Sequence, residues 1–204
     1  MERYDALMFT PGVRALQEAD GSAEMYARNY GPRTHALNAD EVAFVAQRTS
    51  FYMASVSETG WPYVQHRGGP AGFLKVLDDH TLAFADYRGN RQHISEGNLA
   101  SDNRVSLFLM DYPRKARLKM QGHATVVRAE DAPALAARVA VDGQGRVERV
   151  VTIALAAFDW NCPQFITPRF DAAEIAQLVA PELDRQQARI AELEAEIARL
   201  KGQG

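Results

Sequence analysis

The chain has 204 residues, of which 47% are hydrophobic and 24% charged, and its formal net charge is −3. This length allows one sizeable core plus an extension, and the composition is that of an ordinary soluble globular protein. The slightly negative charge argues against a general nucleic-acid binder.

The first predicted domain is an N-terminal helical arm, residues 1–38. A helical pattern runs over about residues 10–30, and Gly21 breaks it. A further helix is predicted to begin at Asn38 or Asp40, because either side chain can accept hydrogen bonds from the first amides of a helix. The apolar stripe expected to be buried on this helix consists of Val42, Phe44 and Val45.

A series of predicted strands follows in the second domain, residues 39–170. They occupy residues 51–56, 62–65, 73–77, 81–85, 105–110, 117–127 and 147–155. Helices are predicted at 91–98, which ends at the stop signal Gly97-Asn98, and at the alanine-rich segment 132–141. Many strands with short turns and few helices predict a mainly β fold with flanking helices, in which the strands form a closed or partly closed barrel without exposed edges.

The third domain, residues 171–204, is predicted to be a helix with coiled-coil heptads. Position a holds Leu183, Ile190 and Ile197, and position d holds Gln186, Leu193 and Leu200. Isoleucine at a with leucine at d favours a parallel two-stranded coil. The residues that would face each other at g and e carry opposite charges: Arg189 with Glu194, and Glu196 with Lys201. The alternative is a helix that lies on the barrel.

Four ordered segments carry a family resemblance. They are Arg67, which closes the second strand; Phe84-Ala85-Asp86, which leads to Gly89-Asn90-Arg91-Gln92; Asn103-Arg104-Val105-Ser106-Leu107; and residues 117–122. In this order and spacing, the chain resembles the pyridoxamine 5′-phosphate oxidase-like family, the FMN-binding split β-barrels, over about residues 39–170. Asn161-Cys162-Pro163-Gln164 resembles a mark of a branch of this family that is separate from the oxidase proper.

The resemblance implies that FMN binds at the interface of a homodimer. In the family an arginine at this strand end grips the FMN phosphate, which implies that role for Arg67 beside Gly68. A guanidinium can donate two hydrogen bonds to one phosphate, and a helix start adds a favourable dipole. The second implied grip is the loop of Asn90, Arg91 and Gln92. By the same resemblance, Phe84 and Ala85 lie against the isoalloxazine, and Arg117 contacts the cofactor from the partner subunit.

The function implied by the resemblance is an FMN-dependent oxidoreductase that acts on a small molecule, with no side chain identified as its acid or base. Two departures separate the chain from the oxidase proper: the first changes the loop over the flavin, and the second argues against vitamin B6 oxidation. Gly68-Gly69-Pro70-Ala71-Gly72 replaces a basic and aliphatic run, and Arg169 lacks the histidine that accompanies the final arginine in the oxidase. The alternatives are true pyridoxamine 5′-phosphate oxidase, a non-enzymatic flavin carrier or sensor, and a flavin-free haem-utilisation protein of the same fold. In the last case the axial ligand would be His66, His93 or His123.

Several of these residues also have simpler interpretations. Arg67 and Arg91 could be solvated surface arginines. The histidines include no i, i+4 pair and no neighbouring cysteine cluster, so no metal site is predicted. Phe158 and Trp160 either stack near the flavin or pack in the core.

The single cysteine and the N-terminus indicate the compartment. Cys162 has no second cysteine to pair with, which fits a reducing compartment, and it is interpreted as a small buried apolar group. Charges at Glu2, Arg3 and Asp5 are unlike a signal peptide, and no apolar run approaches the roughly 20 residues that span a bilayer. The sequence therefore predicts a cytoplasmic protein with neither a membrane nor a nucleic acid as partner.

Overall fold

The structure is a computed structural model that describes residues 1–29, 36–161 and 163–202. The chain divides into two compact units, Met1–Asp111 with Lys115–Gln164 and Tyr112–Arg114 with Phe165–Gly204. The predictions for Cys162, and for the end of the N-terminal helical stretch at Tyr30, lie outside the described residues. The first unit contains the β-sheet, and the second contains the long C-terminal helix.

Residues 1–29 contain three short helices: α1 (Tyr4–Met8), α2 (Pro11–Ala19) and α3 (Ala23–Asn29). The Thr10 hydroxyl caps α2 by accepting a hydrogen bond from the Val13 amide at 3.4 Å. Gly21 separates α2 from α3 with a φ of 77°, a left-handed conformation that favours glycine. These two helices correspond to the interrupted helical stretch predicted around residues 10–30.

Helix α4 (Ala39–Ala46) begins after Asn38, one of its two predicted caps. The Asn38 side chain accepts a hydrogen bond from the Asp40 amide at 2.7 Å, and the Glu41 carboxylate accepts one from the Asn38 amide at 3.0 Å. This capping box satisfies amides that would otherwise lack partners at the helix start. Val42, which the sequence places in the buried stripe, is 37% exposed.

In the described part of the chain, seven strands form one antiparallel sheet in the order β2-β1-β5-β6-β7-β4-β3. They are β1 (Ser50–Val56), β2 (Pro62–Gly68), β3 (Lys75–Asp78), β4 (Thr81–Tyr87), β5 (Arg104–Asp111), β6 (Ala116–Arg128) and β7 (Val147–Asn161). Strands β6 and β7 pair from Arg117↔Asn161 to Arg128↔Arg149. The prediction of a mainly β fold with helices is confirmed.

Over the described residues the sheet is not closed by backbone pairing, because β2 and β3 are its two ends. The open sheet corresponds to the partly closed barrel, one of the two arrangements that the sequence predicts. The expectation that no strand edge is exposed is wrong, because β2 and β3 remain as edge strands. The sheet nevertheless curls, so that the ring centroids of Phe51 on β1 and Phe84 on β4 lie 5.5 Å apart. Its inner face encloses the main core, which includes Val45, Met53, Leu82, Leu107, Leu118, Met120 and Ile153.

A second, smaller core lies on the opposite face of β4 and β7. Helix α6 (Pro133–Val139) covers the sheet there. The buried residues of this core are Ala83, Ala136, Val139 and Val150. Because successive residues of a strand point to opposite faces, β4 contributes alternately to both cores.

Helix α5 (Ile94–Ser101) differs from its prediction at both ends. It begins later than residue 91 because Arg91 and His93 take left-handed backbone conformations, with φ of 60° and 53°. It also continues through the predicted stop at Gly97-Asn98. The Asn98 side chain is buried and donates a hydrogen bond to Ser55 Oγ at 2.9 Å, so tertiary packing overrides the local stop signal.

The second unit contains α7 (Ala172–Lys201), a helix of 30 residues. Asp171 and Glu174 form a capping box at its start, with two hydrogen bonds of 2.8 Å. The predicted C-terminal helix is therefore present, with Pro181 inside it and no buried residue. In the part of the chain that the structure describes, no helix is long and apolar enough to cross a membrane.

Candidate functional site

Three charged side chains meet at one end of the curled sheet. Arg67 on β2 is the register partner of buried Phe51 and lies on the same face of the sheet. Asp86 on β4 and Arg149 on β7 are also register partners. Arg67 Nη1 lies 3.0 Å from Asp86 Oδ1, and Arg149 Nε lies 2.9 Å from Asp86 Oδ2. Two arginines from separate parts of the sheet therefore share one carboxylate.

Arg67 is partly withdrawn from water. Its side chain is 18% exposed, and its guanidinium carbon lies 5.4 Å from the centroid of the Phe84 ring. Within the described residues, its buried Nε has no hydrogen-bond partner. Buried polar atoms without a partner are rare in folded proteins. Among the described residues, Arg67 is therefore a partly buried cation with one unpaired donor, at the border of two clefts.

Arg149 is a member of this cluster that the sequence reasoning misses. Burial lowers the pKa of its guanidinium, but the hydrogen bond and charge of Asp86, together with the charges of Glu96 and Glu148, hold that pKa above its usual value. Arg149 Nη1 also lies 3.6 Å from Glu96 Oε2. One sequence signal could have found it, because a charged residue inside an apolar strand is seldom buried unless it is paired.

The Arg67–Asp86 pair separates two clefts, and both residues line each cleft. The first cleft, of about 90 Å³, is lined among others by Gln65, Asn90, Arg91, Gln92 and Ser95. The second, of about 280 Å³, is lined among others by Gly68, Gly69, Phe73, Phe84 and Ala85. With the exception of Arg117, the structure thus divides the predicted cofactor residues into two groups that share Arg67.

The loop of residues 89–93 leads into α5 and borders the first cleft. The left-handed conformations of Arg91 and His93 are costly for non-glycine residues and are found most often at functional sites. Asn90 Oδ1 accepts a hydrogen bond from the Gln92 amide at 3.2 Å. His93 provides no side-chain cap for α5. Exposed Arg91 therefore lies close to a helix start that favours an anion.

Phe84 and Ala85 line the second cleft, but their side chains are committed to packing. Phe84 is 1% exposed and packs against Phe51, and Ala85 packs with the second core. Pairing of β4 with β3 ends at Lys75↔Ala83. What this part of β4 can offer a ligand is therefore mainly its backbone.

Arg117 is not brought to the clefts within one chain. It pairs with Asn161 at one end of β6, whereas Val126, near the other end, lines the first cleft. Their separation of nine positions along the strand corresponds to about 30 Å. Arg117 also precedes buried Leu118, so it lies on the outer face of the sheet.

The three histidines considered as haem ligands lie apart. His66 packs edge-on against Tyr52, with ring centroids 5.6 Å apart. His93 Nδ1 lies 2.7 Å from Glu96 Oε2, and His123 Nδ1 lies 2.9 Å from Asn103 Oδ1. Among the described residues, one group brings three metal-ligand atoms together, in the turn of Asp78, Asp79 and His80.

The two aromatic residues proposed near the flavin pack elsewhere. The Trp160 indole N–H donates to Glu41 Oε1 at 2.7 Å, and its ring lies edge-on to Phe44 at 4.7 Å. Phe158 packs against the main core. Of the two interpretations, core packing holds for Phe158, whereas Trp160 is 37% exposed and packs on Phe44 at the border of the core.

The protein is therefore a β protein with an open antiparallel sheet. At one end of the sheet, beside two clefts, Arg67 and Arg149 share the Asp86 carboxylate, and this arrangement suits an anionic ligand. The family model described as pyridoxamine 5′-phosphate oxidase matches residues 37–155, more than half of the chain. The chain belongs to the pyridoxamine 5′-phosphate oxidase family.

Comparison with individual proteins gives weaker likenesses, and no curated protein matches the chain. Similar solved structures include HupZ from Group A Streptococcus, with 14% identity, coverage of 66% of this chain and 99% of that chain, and a TM-score of 0.49. General Stress Protein 26 from Bacillus anthracis has 11% identity, coverage of 59% and 91%, and a TM-score of 0.45. Conserved hypothetical protein Rv2991 from Mycobacterium tuberculosis has 16% identity, coverage of 69% and 95%, and a TM-score of 0.48. All three scores are below 0.5, so these likenesses carry no argument about this chain.

Proposed function

We propose that this protein is a split-barrel flavoprotein that binds FMN at the two clefts and acts as an FMN-dependent oxidoreductase on a small molecule. The observation that carries the proposal is the environment of Arg67. Its guanidinium lies between the clefts, its Nε is buried without a partner among the described residues, and its charge is held in place by Asp86. A ligand phosphate in either cleft would meet the positive charge of this guanidinium, since Arg67 lines both.

The residues of the first cleft fit the phosphate of FMN. Arg67, Arg91 and Arg149 bring three positive charges to its lining, against the two negative charges of Asp86 and Glu96. The uncapped start of α5 adds a partial positive charge. A phosphate dianion placed there would meet excess positive charge and donors of the guanidinium type that binds phosphate through paired hydrogen bonds.

The second cleft fits part of a flat ring system. Its volume of about 280 Å³ lies just below the roughly 300–1,000 Å³ of typical small-molecule sites. Gly69 allows the backbone to approach the core closely, because a Cβ at this position would lie 2.7 Å from Phe73 Cβ. A ring bound in this cleft would be covered on one side by this chain and would need a second surface on the other.

The protein's own residues bind and orient the cofactor. FMN, when bound, supplies hydride or electron transfer. Asp86 holds Arg67 and Arg149 in fixed orientations, so little side-chain freedom is lost when a phosphate binds. The low exposure of the arginine pair strengthens its electrostatic interaction with the ligand, since less water screens the charges.

We further propose that a second copy completes the site through the outer face of the sheet. This face exposes apolar side chains: Val64 is 60% exposed and Tyr52 is 40% exposed. Phe108 is the register partner of Tyr52 on the same face, and Arg117 lies on this face further along the sheet. Pairing of two outer faces would bring the partner subunit's Arg117 towards the cofactor, the role that the resemblance implies.

A comparison of FMN with riboflavin tests the phosphate assignment, because riboflavin lacks only the phosphate. Each lost charge-assisted contact corresponds to about 1.5–3 kcal/mol. Arg67→Ala and Arg91→Ala are therefore expected to weaken FMN binding about tenfold to a hundredfold, and riboflavin binding much less. Arg199→Ala, an exposed arginine of α7, is the control and should leave both titrations unchanged.

The result also separates the alternative functions. Equal FMN titrations for the wild type and both variants would refute the phosphate assignment. A Soret band in the purified protein, in place of a flavin spectrum, would indicate a haem protein instead. A bound flavin that no substrate or reductant turns over would indicate a carrier or sensor.

A further inference from the structure

The C-terminal helix presents an apolar stripe that its own unit leaves in water. Ile190, Leu193, Ile197 and Leu200 are each between 41% and 55% exposed. The helix has 30 residues and buries none of them, so its length of about 45 Å is not stabilised by packing within the unit. We propose that α7 pairs with α7 of a second copy of this chain, as a parallel, in-register, two-stranded coiled coil over residues 183–201.

The heptad positions lie within the helix that the structure shows. Leu183, Ile190 and Ile197 occupy position a, and Leu193 and Leu200 occupy position d. Isoleucine at a with leucine at d packs best when two parallel helices meet. Pro181 precedes this segment at position f, which faces away from the partner, so its missing amide does not disturb the seam.

Charge complementarity identifies the occupant as a second copy. In the parallel arrangement Arg189 at g faces the partner subunit's Glu194 at e, and Glu196 faces the partner subunit's Lys201. Both contacts occur twice by symmetry, and all four are attractive. In the single helix Arg189 instead pairs with Glu192, at 2.9 Å along the same exposed surface.

Gln186 favours the parallel, in-register arrangement over the antiparallel one. It lies at position d, and in the single helix its amide nitrogen donates to Glu182 Oε1 at 3.1 Å. In register, two Gln186 side chains face each other across the seam and can form a hydrogen bond with each other. An antiparallel pairing of Leu183 with the partner subunit's Leu200 would put Gln186 against isoleucine. A polar residue at one core position specifies register in this way, at some cost in stability.

Cysteine crosslinking tests the register directly in the full-length chain. The background is Cys162→Ser, which removes the native thiol. Leu200→Cys puts a thiol at position d, and Ala195→Cys puts one at position f, away from the partner. In-register parallel pairing predicts that the disulfide at 200 forms at least about tenfold faster than the one at 195, since only the d positions meet at disulfide distance.

The competing arrangements give different results. An antiparallel coil separates the two thiols at 200, and a helix that binds another protein or lies alone gives similar, slow crosslinking at both positions. Either result overturns the proposal. The test is independent of flavin binding, because it reads only the distance between two copies of α7.

A charge substitution provides the second test. Ile190→Asp puts a carboxylate in the seam, whereas Ala188→Asp puts the same group at position f of the same helix. We expect sedimentation to show self-association weakened about tenfold or more by Ile190→Asp, because an unpaired carboxylate in an apolar seam is costly. Ala188→Asp should leave it within about twofold. Equal behaviour of two folded variants, with folding checked by circular dichroism, would exclude the seam.

Discussion

Arg67 on β2 and Asp86 on β4 form an ion pair of 3.0 Å between strands that no backbone ladder connects. Strand β2 is one end of the sheet, and β4 is next to the other end. Arg149 contributes a second contact of 2.8 Å to the same carboxylate. In a full barrel, backbone hydrogen bonds between strands would close the sheet. Here side-chain charges join its two sides at the Arg67–Asp86–Arg149 cluster instead.

This arrangement predicts opposite effects of Asp86→Asn on stability and on anion binding. Loss of the carboxylate leaves the partly buried Arg67 guanidinium without its counter-ion and leaves Arg149 with only the longer contacts to Glu96 and Glu148, at 3.6 and 3.8 Å. The free energy of unfolding should therefore fall by about 1–3 kcal/mol. The same loss removes a competitor of phosphate, so inorganic phosphate should stabilise the variant more than it stabilises the wild type.

Urea unfolding with and without phosphate measures both effects. Asp131→Asn, an exposed aspartate after β6, is the control and should resemble the wild type in each condition. If phosphate stabilises Asp86→Asn and the wild type equally, the arginines of this cluster do not bind the anion.

Replacement of Gly122 or Gly97 by alanine is expected to change the free energy of unfolding in opposite directions. A Cβ at Gly122 would lie 2.7 Å from the Ala154 carbonyl oxygen and 2.8 Å from Ile153 Cγ2, beside the register shift of β6. Gly122→Ala should therefore lower the free energy of unfolding by about 1–3 kcal/mol. Gly97 lies inside α5 with nothing within 4 Å of its added Cβ, so Gly97→Ala should raise it by about 0.5–1 kcal/mol. Chemical denaturation of both variants measures these changes. An increase in the free energy of unfolding for both variants would contradict the close approach at Gly122.

The buried Glu41 carboxylate links α4 to β7. It accepts hydrogen bonds from the Trp160 indole at 2.7 Å and from the Asn38 amide at 3.0 Å. Glu41→Ala removes a helix cap and leaves an indole donor unpaired, at a cost of about 2–3 kcal/mol.

Fluorescence reports this change, because the emission of Trp160 should shift to longer wavelength when its hydrogen bond is lost and water enters. Trp61→Phe provides a background without the second tryptophan, which is 72% exposed. Glu58→Ala, in an exposed turn, is the matched control. Unchanged emission and stability would show that the contact is not formed in solution.

The turn before β5 predicts a pH response. Hydrogen bonds from Arg104 hold the pKa of the Asp102 carboxyl at about 2. Since this value lies below the ordinary aspartate pKa of about 3.9, the pair contributes stability above about pH 4 and loses it as the pH falls towards 2. A carbon NMR titration should give a midpoint near 2 for Asp102 in the wild type, and Arg104→Ala should raise it. An unshifted midpoint in the variant would assign the effect to the backbone hydrogen bond alone.

Removal of residues 182–204 separates the two proposed contacts between copies. If the outer sheet face pairs as proposed, the truncated protein should stay a flavin-binding dimer, and its melting temperature should fall because the coil no longer tethers the copies. Light scattering measures the mass. A monomer would make α7 the main contact and the sheet-face interface wrong, and an unchanged melting temperature would count against the coil.

The sequence predicts the strands well because their cause is local. Alternation such as Leu118, Met120 and Ala124 on one face of β6 follows directly from the period of a strand, and its buried positions agree with the structure. The boundaries of α5 are harder to predict, because its end depends on the buried contact of Asn98 with Ser55, which is 43 residues away, and its start follows a left-handed Arg91 that no local pattern indicates.

The candidate site also depends on residues that are distant in the chain. Arg67 is recognisable because it lies at the end of a strand, at a place that matches the order of segments in the family. Its partner Asp86 lies 19 positions further along the chain, and Arg149, which shares that carboxylate, lies 82 positions further. Only the curl of the sheet brings these three together, and no local pattern encodes it. The division of the predicted residues into two clefts is likewise a property of the folded sheet.

The long ladder between β6 and β7 has a consequence for motion. These strands are flanked by β5 and β4 in the sheet. Their side chains Leu118, Met120 and Ile153 are fully buried in the main core, on the inner face of the sheet. Their amides should exchange with deuterium only when the whole unit unfolds, whereas edge strand β2 can open alone. Arg67 lies on that edge strand, so a bound anion should slow exchange along β2 and leave the protection of β6 and β7 unchanged.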